Sequence, residues 1–226
     1  MSIYTECTNY RDVVYCSIGS GKLIVGDNST VNNNGAFNNK MFTKLIIPER
    51  VNGQRIVEIG QHAFELQEQL VSVTINAKIT QINFHSFYRC ESLISINIPS
   101  SVKFIGPSAI SCTDASYGTV DGTLNIFIDY PSKLQTIGEF CLERKKNVIL
   151  YFGGTSSPSS IDADLFYGVS NVTIFTPEQI TFGTYETTSI GFDFFTRYKR
   201  VFATKCQYQH LSRKYITCLI ATIFIS

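Results

Sequence analysis

Two of the three histidines in the sequence, His62 and His85, are 23 residues apart. Imidazole nitrogens are favoured ligands for zinc and related metals, so two histidines held close together could begin a metal site. The spacing matches a sequence repeat and would place both residues on adjacent coils of a stacked fold. The equivalent position one coil further on is Ser108, which adds no strong third ligand. Common repeat ancestry therefore explains the pair, and the sequence predicts no metal site and no cofactor.

The remaining reactive residues form no recognisable catalytic pattern. The seven cysteines include no CxxC pair, so we expect most to be free thiols, with Cys90 and Cys141 as small apolar core residues. Acidic residues such as Glu139 and Asp162 fall in different turns, whereas acid–base catalysis needs carboxylates that face one cleft. Residues 153–160 (GGTSSPSS) lack the lysine of a phosphate-binding loop and are expected to connect two coils. The sequence thus predicts a protein that is not an enzyme.

Composition and charge limit the classes of partner. A chain of 226 residues with 44% hydrophobic and 16% charged residues is typical of an ordered protein. Its net charge of +1 provides no long-range field for nucleic acid, and we expect neither nucleic acid nor a small-molecule substrate as a partner.

Neither end of the chain shows a clear targeting segment. Residues 1–15 contain charged side chains and no apolar run typical of a secretory signal. The apolar stretch at residues 215–225 is about half as long as the roughly 20 residues that a membrane-spanning helix needs. It could be a terminal strand or helix packed on the last coil, a truncated anchor or a tail beyond the repeats, so membrane association stays open.

A repeat of 23 or 24 residues organises most of the chain. Residues 70–91 align with residues 93–114, and extending this register gives two apolar columns five residues apart. The first column holds Ile59, Ile82, Ile105, Ile137 and Ile161, and the second holds Phe64, Phe87, Ile110, Leu142 and Phe166. One step in the first column is 32 residues long, and we assign the extra length to a surface loop at residues 115–122.

Each repeat contains one short strand with a single apolar face. Leu93, Ile96 and Ile98 alternate with polar residues, as expected for a strand with one side in a core. Because one coil cannot cover this face alone, neighbouring coils must stack, pair their strands and align the apolar columns into one core. A proline after the strand, at Pro48, Pro99 and Pro131, is expected to end it.

The segment Ile98-Pro99-Ser100-Ser101-Val102, followed by Ile105-Gly106 and Ala109-Ile110, resembles the repeat of BspA-like leucine-rich repeat proteins, LxxIxIPxxVxxIGxxAFxxC. We therefore predict a β-rich solenoid, a right-handed stack of about seven coils over residues 35–177. Atypical units should close the ends, since an open end would expose core and strand edge. Residues 1–34 are the predicted N-terminal cap, and residues 178–226 are a C-terminal cap or a non-repeat tail.

The resemblance also implies a function. It implies a non-catalytic, adhesin-like protein at the cell surface that binds a protein of a host or of a neighbouring cell. The alternative is an intracellular protein-interaction scaffold. Two features favour it, since no secretory signal is visible and the cysteines show no pairing.

The expected binding face is the outward side of the repeated strands, where side chains are free of packing constraints. The register gives one outward column containing Lys44, Ser72, Ser95, Phe127, Tyr151 and Phe175. The second outward column contains Ile46, Thr74, Asn97, Asp129 and Gly153. We predict that Phe127, Tyr151 and Phe175 form an exposed aromatic row which binds the partner together with Asp129 and Asn97.

Two alternatives stay open for this aromatic row. A register shift of one residue would turn Tyr151 inward and expose Phe152, or the C-terminal segment could cover the rings. If the row is exposed, changing its three residues to serine should leave the thermal stability nearly intact.

Overall fold

The computed structural model describes residues 6–26, 36, 41–112, 118–177 and 180–190, which form strands joined by turns. The strands are β1 (Cys7–Tyr10), β2 (Val13–Ser17), β3 (Lys22–Val25), β4 (Lys44–Ile47), β5 (Arg50–Val51), β6 (Gln54–Ile59), β7 (Ser72–Ile75), β8 (Gln81–Ile82), β9 (Ser95–Ile98), β10 (Phe104–Ile105), β11 (Val120–Ser132), β12 (Thr136–Ile137), β13 (Lys145–Gly154), β14 (Ser160–Ile161), β15 (Asn171–Thr176) and β16 (Thr188–Ser189). Within these residues there is no helix with the length and apolar character that crossing a membrane requires.

The strands form two sheets that run along the stack. Sheet I contains seven parallel strands in the order β16-β15-β13-β11-β9-β7-β4, so that successive coils contribute neighbouring strands. Sheet II follows the order β1-β2-β3-β6-β8-β10-β12-β14, with β5 paired to β6. The chain is therefore a β-rich leucine-rich repeat solenoid, as the repeat predicts.

The core lies between the two sheets and consists of the predicted columns. The short strands β8, β10, β12 and β14 pair in register, which aligns Ile82, Ile105, Ile137 and Ile161 across four coils. The isoleucines of this column are buried except for Ile161, which is half-buried. In the second column the rings of Phe64 and Phe87 stack with centroids 5.3 Å apart. Burial of these residues on both sides of each coil is the main stabilising contribution.

The turn that follows each short strand of sheet II has the same backbone conformation in successive coils. Three residues after the core isoleucine, φ is 53° at His62, 55° at His85, 47° at Ser108 and 50° at Phe140. This is the left-handed region, in which histidine is several-fold more common than most side chains other than glycine. Backbone hydrogen bonds connect the turns, and the amide of His62 donates to the carbonyl of Phe84. The fold therefore presents His62 and His85 in parallel on adjacent coils.

A small antiparallel unit covers the N-terminal end of sheet II. Strands β1 and β2 pair, and a disulfide joins Cys7 to Cys16, which are direct cross-strand partners. Strand β3 lies within residues 1–34, the predicted N-terminal cap, and it pairs with β6. The disulfide was not predicted, because the odd number of cysteines and their irregular spacing showed no pairing.

The extra length in the coil of β11 differs from the prediction. Residues 113–117 lie outside the described residues, but Val120 to Gly122 belong to β11, where Val120 pairs with Lys145 of β13 and the register shifts before Thr123. Residues 120–122 are therefore part of a strand and do not form a loop. Pro48 and Pro99 follow the ends of β4 and β9 as predicted, whereas Pro131 lies within β11 after a cis peptide bond.

Two further strands depart from the predicted boundaries. Gly153 and Gly154 complete β13, and only the residues that follow them connect to β14. Strand β16 pairs with β15 and continues sheet I beyond residue 177, the predicted end of the solenoid. Its two-residue length left no hydrophobic alternation to identify it in the sequence.

Candidate binding face and histidine cluster

The outward side of sheet I aligns both predicted columns differently at β11. Phe127 pairs with Asn97 and not with Ser95, which pairs with Asn125. Two of the inserted residues lie within β11, where its register with β13 shifts between Ile128 and Ser132, so the predicted columns were displaced by two residues. A displacement of two residues keeps a side chain on the same face of a strand, and Phe127 therefore still points outward.

Phe127, Tyr151 and Phe175 form one aromatic row over three coils. The ring centroids of Phe127 and Tyr151 are 4.7 Å apart, and those of Tyr151 and Phe175 are 5.2 Å apart. Both pairs are stacked. Phe152, the next residue, packs in the core between the sheets. The predicted outward position of Tyr151 is therefore correct, and the alternative that exposes Phe152 is wrong.

The same row is less accessible than the sequence predicted. Only 9% of Phe127 and 6% of Tyr151 are exposed, and Phe175 is half-buried. Ile149 and Ile190 pack against these rings, and desolvation by burial raises the pKa of Tyr151. The prediction of an exposed row is wrong for Phe127 and Tyr151, because residues of several strands converge on them. Changing the row to serine would remove buried apolar surface, so nearly intact stability is no longer expected.

The other two candidate residues, Asn97 and Asp129, form a polar contact across adjacent strands. The Nδ2 atom of Asn97 donates to Oδ1 of Asp129 at 2.9 Å, and both residues are half-buried. From Asn97 toward β4, away from the aromatic row, the outward face becomes more accessible. Ile46, on the edge strand β4, is 51% exposed and lies in the same column as Asn97 and Thr74.

His62, Glu65 and His85 form a compact cluster on the turns of two adjacent coils. The Nδ1 atom of His62 lies 2.6 Å from Oε2 of Glu65, and Nδ1 of His85 lies 3.8 Å from Oε1 of the same carboxylate. The two imidazole centroids are 5.1 Å apart. His62 and Glu65 are buried, and His85 is half-buried. The predicted proximity of the histidines is confirmed, but sequence reasoning missed Glu65, whose only signal was its position three residues after His62.

Aromatic rings fix the imidazole of His85. Phe84 and Tyr88 both stack with this ring, at centroid distances of 3.7 Å and 4.0 Å. Desolvation, with a smaller contribution from His62, lowers the pKa of His85 from 6.5 to about 4. His85 is therefore neutral at physiological pH. Its Nδ1 atom is buried and makes no hydrogen bond with the residues that the structure describes.

The free cysteines of the described chain are unsuited to nucleophilic catalysis. Cys90, Cys112 and Cys141 are buried, and desolvation raises the pKa of all three thiols. The pKa reaches about 11 for Cys112 and about 12 for Cys141. Since the thiolate is the nucleophile, these side chains are inert at neutral pH. Cys206 and Cys218 lie outside the described residues.

The fold is that of a leucine-rich repeat solenoid, with parallel strands in successive coils, two aligned apolar columns and a repeated turn. The sequence matches the family model for the BspA type leucine-rich repeat region in six copies, over residues 30–173 and 121–200. The chain belongs to the BspA-type leucine-rich repeat family. None of the curated proteins has significant sequence similarity to it.

Three solved structures are similar to the chain. The pneumococcal vaccine antigen PcpA is 15% identical with a TM-score of 0.44, and the match covers 77% of this chain and 50% of that one. A leucine-rich cell surface protein from Faecalibacterium prausnitzii is 17% identical with a TM-score of 0.42, with coverage of 77% and 55%. A leucine-rich repeat protein from Bacteroides ovatus is 15% identical with a TM-score of 0.33, with coverage of 80% and 57%. The chain spans about half the length of these proteins.

Proposed function

We propose that the chain is a non-catalytic, adhesin-like module that binds a protein on a host or neighbouring cell through the outward face of sheet I. The observation that carries this proposal is the accessible N-terminal part of that face, where Ile46 is 51% exposed. Membership of the leucine-rich repeat family supports it, because repeat proteins use such regular, extended faces for binding. No small-molecule substrate or nucleic acid is part of the proposal.

The composition of this accessible region fits a small protein interface. Ile46 provides an apolar centre, and Lys44, Thr74 and Asn97 provide polar groups around it on β4, β7 and β9. An apolar centre with a polar rim is the usual arrangement of a protein–protein contact. Asp129 holds the amide of Asn97 in place through their hydrogen bond, so less side-chain freedom is lost on binding.

The aromatic row has a supporting role in this proposal. Phe127 and Tyr151 stack behind Asn97 along the same column, and their burial makes this part of sheet I rigid. Phe175, which is half-buried, is the ring of the row that could still contact a partner directly.

The disulfide between Cys7 and Cys16 favours a surface location over the intracellular scaffold. Disulfides persist in oxidising compartments and are rare in the cytosol, where thiols are kept reduced. The free cysteines do not argue for the scaffold, because all three in the described chain are buried and are therefore protected from oxidation in either compartment.

A cell-binding assay with matched variants tests the proposal. A fluorescent form of the chain is titrated onto target cells before and after trypsin removes their surface proteins. The double variant Ile46→Asp/Asn97→Ala should bind roughly tenfold or more weakly, because it places a charge at the apolar centre and removes a polar group beside it, and loss of one central residue can cost about 2 kcal/mol or more. The control Phe104→Asp changes an apolar residue that is 44% exposed on sheet II and should bind like the wild type.

Two outcomes would contradict the proposal. Equal binding to trypsin-treated and untreated cells would exclude a protein receptor, and equal loss in the double variant and in Phe104→Asp would show that sheet I is not the binding face. Location is tested separately by treating intact producing cells with protease. Survival of the whole chain inside them would favour the scaffold.

A further inference from the structure

Three side chains with metal-binding groups lie close together in the structure, those of His62, Glu65 and His85. One ligand atom from each, two imidazole nitrogens and a carboxylate oxygen, lies within 4.8 Å of the others. The residues belong to two consecutive coils, and the repeated left-handed turn gives His62 and His85 the same backbone conformation. The cluster is therefore built by the solenoid itself.

The spacing of the ligand atoms is close to that of a tetrahedral zinc site. Bonds of about 2.0–2.1 Å at tetrahedral angles place ligand atoms roughly 3.3 Å apart. The two distances from the Glu65 carboxylate are 2.6 Å to His62 and 3.8 Å to His85, one below and one above this value. Small movements of the carboxylate, opening the first distance and closing the second, would bring both imidazoles into range of one ion.

The ligand types select a particular class of ion. Two imidazoles and one carboxylate suit zinc and related divalent transition metals, whereas calcium and magnesium prefer oxygen ligands alone. Three protein ligands leave a fourth position, which water fills in zinc sites of this composition.

The surroundings of His85 fit a metal ligand better than a simple hydrogen-bonding residue. Its buried Nδ1 atom has no hydrogen-bond partner among the described residues, and a buried polar atom without a partner destabilises the fold. The stacked rings of Phe84 and Tyr88 fix the orientation of the imidazole.

We propose that His62, Glu65 and His85 bind one divalent transition-metal ion of the zinc class, which joins two adjacent coils of the solenoid. Coordination through the Nδ1 atoms places the remaining proton of each imidazole on Nε2. The ion replaces the direct contact between His62 and Glu65 and gives the Nδ1 atom of His85 a partner. Because metal binds the folded turns and not the separated ones, it stabilises the stack, and this stabilisation grows with the logarithm of the metal concentration once that concentration exceeds the Kd.

Titration of the tag-free full chain with zinc tests the proposal. Calorimetry should show one site per chain, and the melting temperature should rise with zinc but not with calcium or magnesium. Cobalt(II) should give the visible absorption of a tetrahedral site. The variant His85→Asn should bind zinc roughly tenfold or more weakly, since even loss of an outer-shell partner commonly costs 10–100-fold. Asparagine tolerates the left-handed backbone of this position, so the variant should fold.

Matched variants separate this site from other zinc ligands. Glu65→Gln should also weaken binding, because it removes the carboxylate charge while keeping the side-chain shape. The control Cys206→Ser/Cys218→Ser/His210→Asn removes the histidine and cysteines that lie outside the described residues and should bind like the wild type. The absence of a zinc-dependent rise in melting temperature, equal affinity in folded His85→Asn, or loss of binding in the triple control would each overturn the proposal.

Discussion

Burial is the main influence on the chemistry of the free cysteines in the described chain. Cys90 and Cys141 occupy two different positions of the repeat that favour small apolar side chains, and the thiol of Cys90 lies 3.3 Å from the carbonyl oxygen of Phe64. Removal from water disfavours the thiolate and raises the pKa in each case. The three free cysteines of the described chain therefore pack as small apolar side chains.

Thiol labelling of the folded chain should leave these three cysteines unmodified. With a pKa of about 11, roughly one Cys112 thiol in a thousand is ionised at pH 8, and burial also blocks the reagent. Iodoacetamide at pH 8, followed by peptide mass spectrometry, should find Cys90, Cys112 and Cys141 labelled only after unfolding in guanidinium. Rapid labelling of one of them in the folded chain would revive the enzyme hypothesis.

The histidine cluster marks the limit of what residue positions alone can predict. The repeat register places His62 beside His85 because equivalent positions in stacked coils are neighbours. Glu65 was not predicted as part of the cluster. Its equivalents in the next coils are Tyr88 and Ser111, so the sequence contains no column of carboxylates that would indicate a role for it. The burial that lowers the pKa of His85 depends on Phe84 and Tyr88 stacking on its ring, which only the folded turn shows.

At the scale of the elements, close packing between coils decides which residues the turns accept. A Cβ atom on Gly138 would lie 2.6 Å from the backbone nitrogen of Pro107 on the preceding coil. The apolar columns predicted the strands and their stacking correctly, because inward positions must be apolar in every coil. The position of the extra residues around β11 was not predictable, since counting between columns does not show where within a coil the length is added.

The variant Gly138→Ala should therefore destabilise the stack by roughly 1–3 kcal/mol, as overpacking against fixed backbone usually does. Gly118→Ala is the matched control, because a Cβ atom there meets nothing within 4 Å. Chemical denaturation followed by circular dichroism measures both. Equal midpoints for Gly138→Ala and the wild type would show that the coils around Gly138 and Pro107 are further apart than the structure places them.

At the scale of the whole molecule, every coil depends on its neighbours for the burial of its core. Sheet I and sheet II continue through the stack without interruption, and the apolar cluster between them extends from Val13 in the N-terminal unit to Phe182. The sequence predicted this architecture because periodicity survives in every coil, even where single residues vary. It left open whether the C-terminal segment covers Phe127 and Tyr151, and Ile190 of that segment does pack against these rings.

The variant Ile105→Asp should unfold coils on both sides of β10. Ile105 is buried at the centre of the isoleucine column and pairs with Ile82 and Ile137, so the new carboxylate would be enclosed without a partner. We expect a loss of roughly 4 kcal/mol or more, the range that buried charges reach. Hydrogen exchange should show lost protection at β8 and β12 as well as at β10, because neighbouring coils bury one another.

The adjacent residue provides the control for this prediction. Phe104 belongs to the same two-residue strand but faces outward, so Phe104→Asp removes an apolar group without placing a charge in the core. Its melting temperature and exchange pattern should stay close to those of the wild type, since exposed substitutions usually change stability by less than about 0.5 kcal/mol. If Ile105→Asp melted like Phe104→Asp, the isoleucine column would not be the core. If exchange protection were lost at β10 alone, the coils would unfold independently, and the prediction that they are coupled would be wrong.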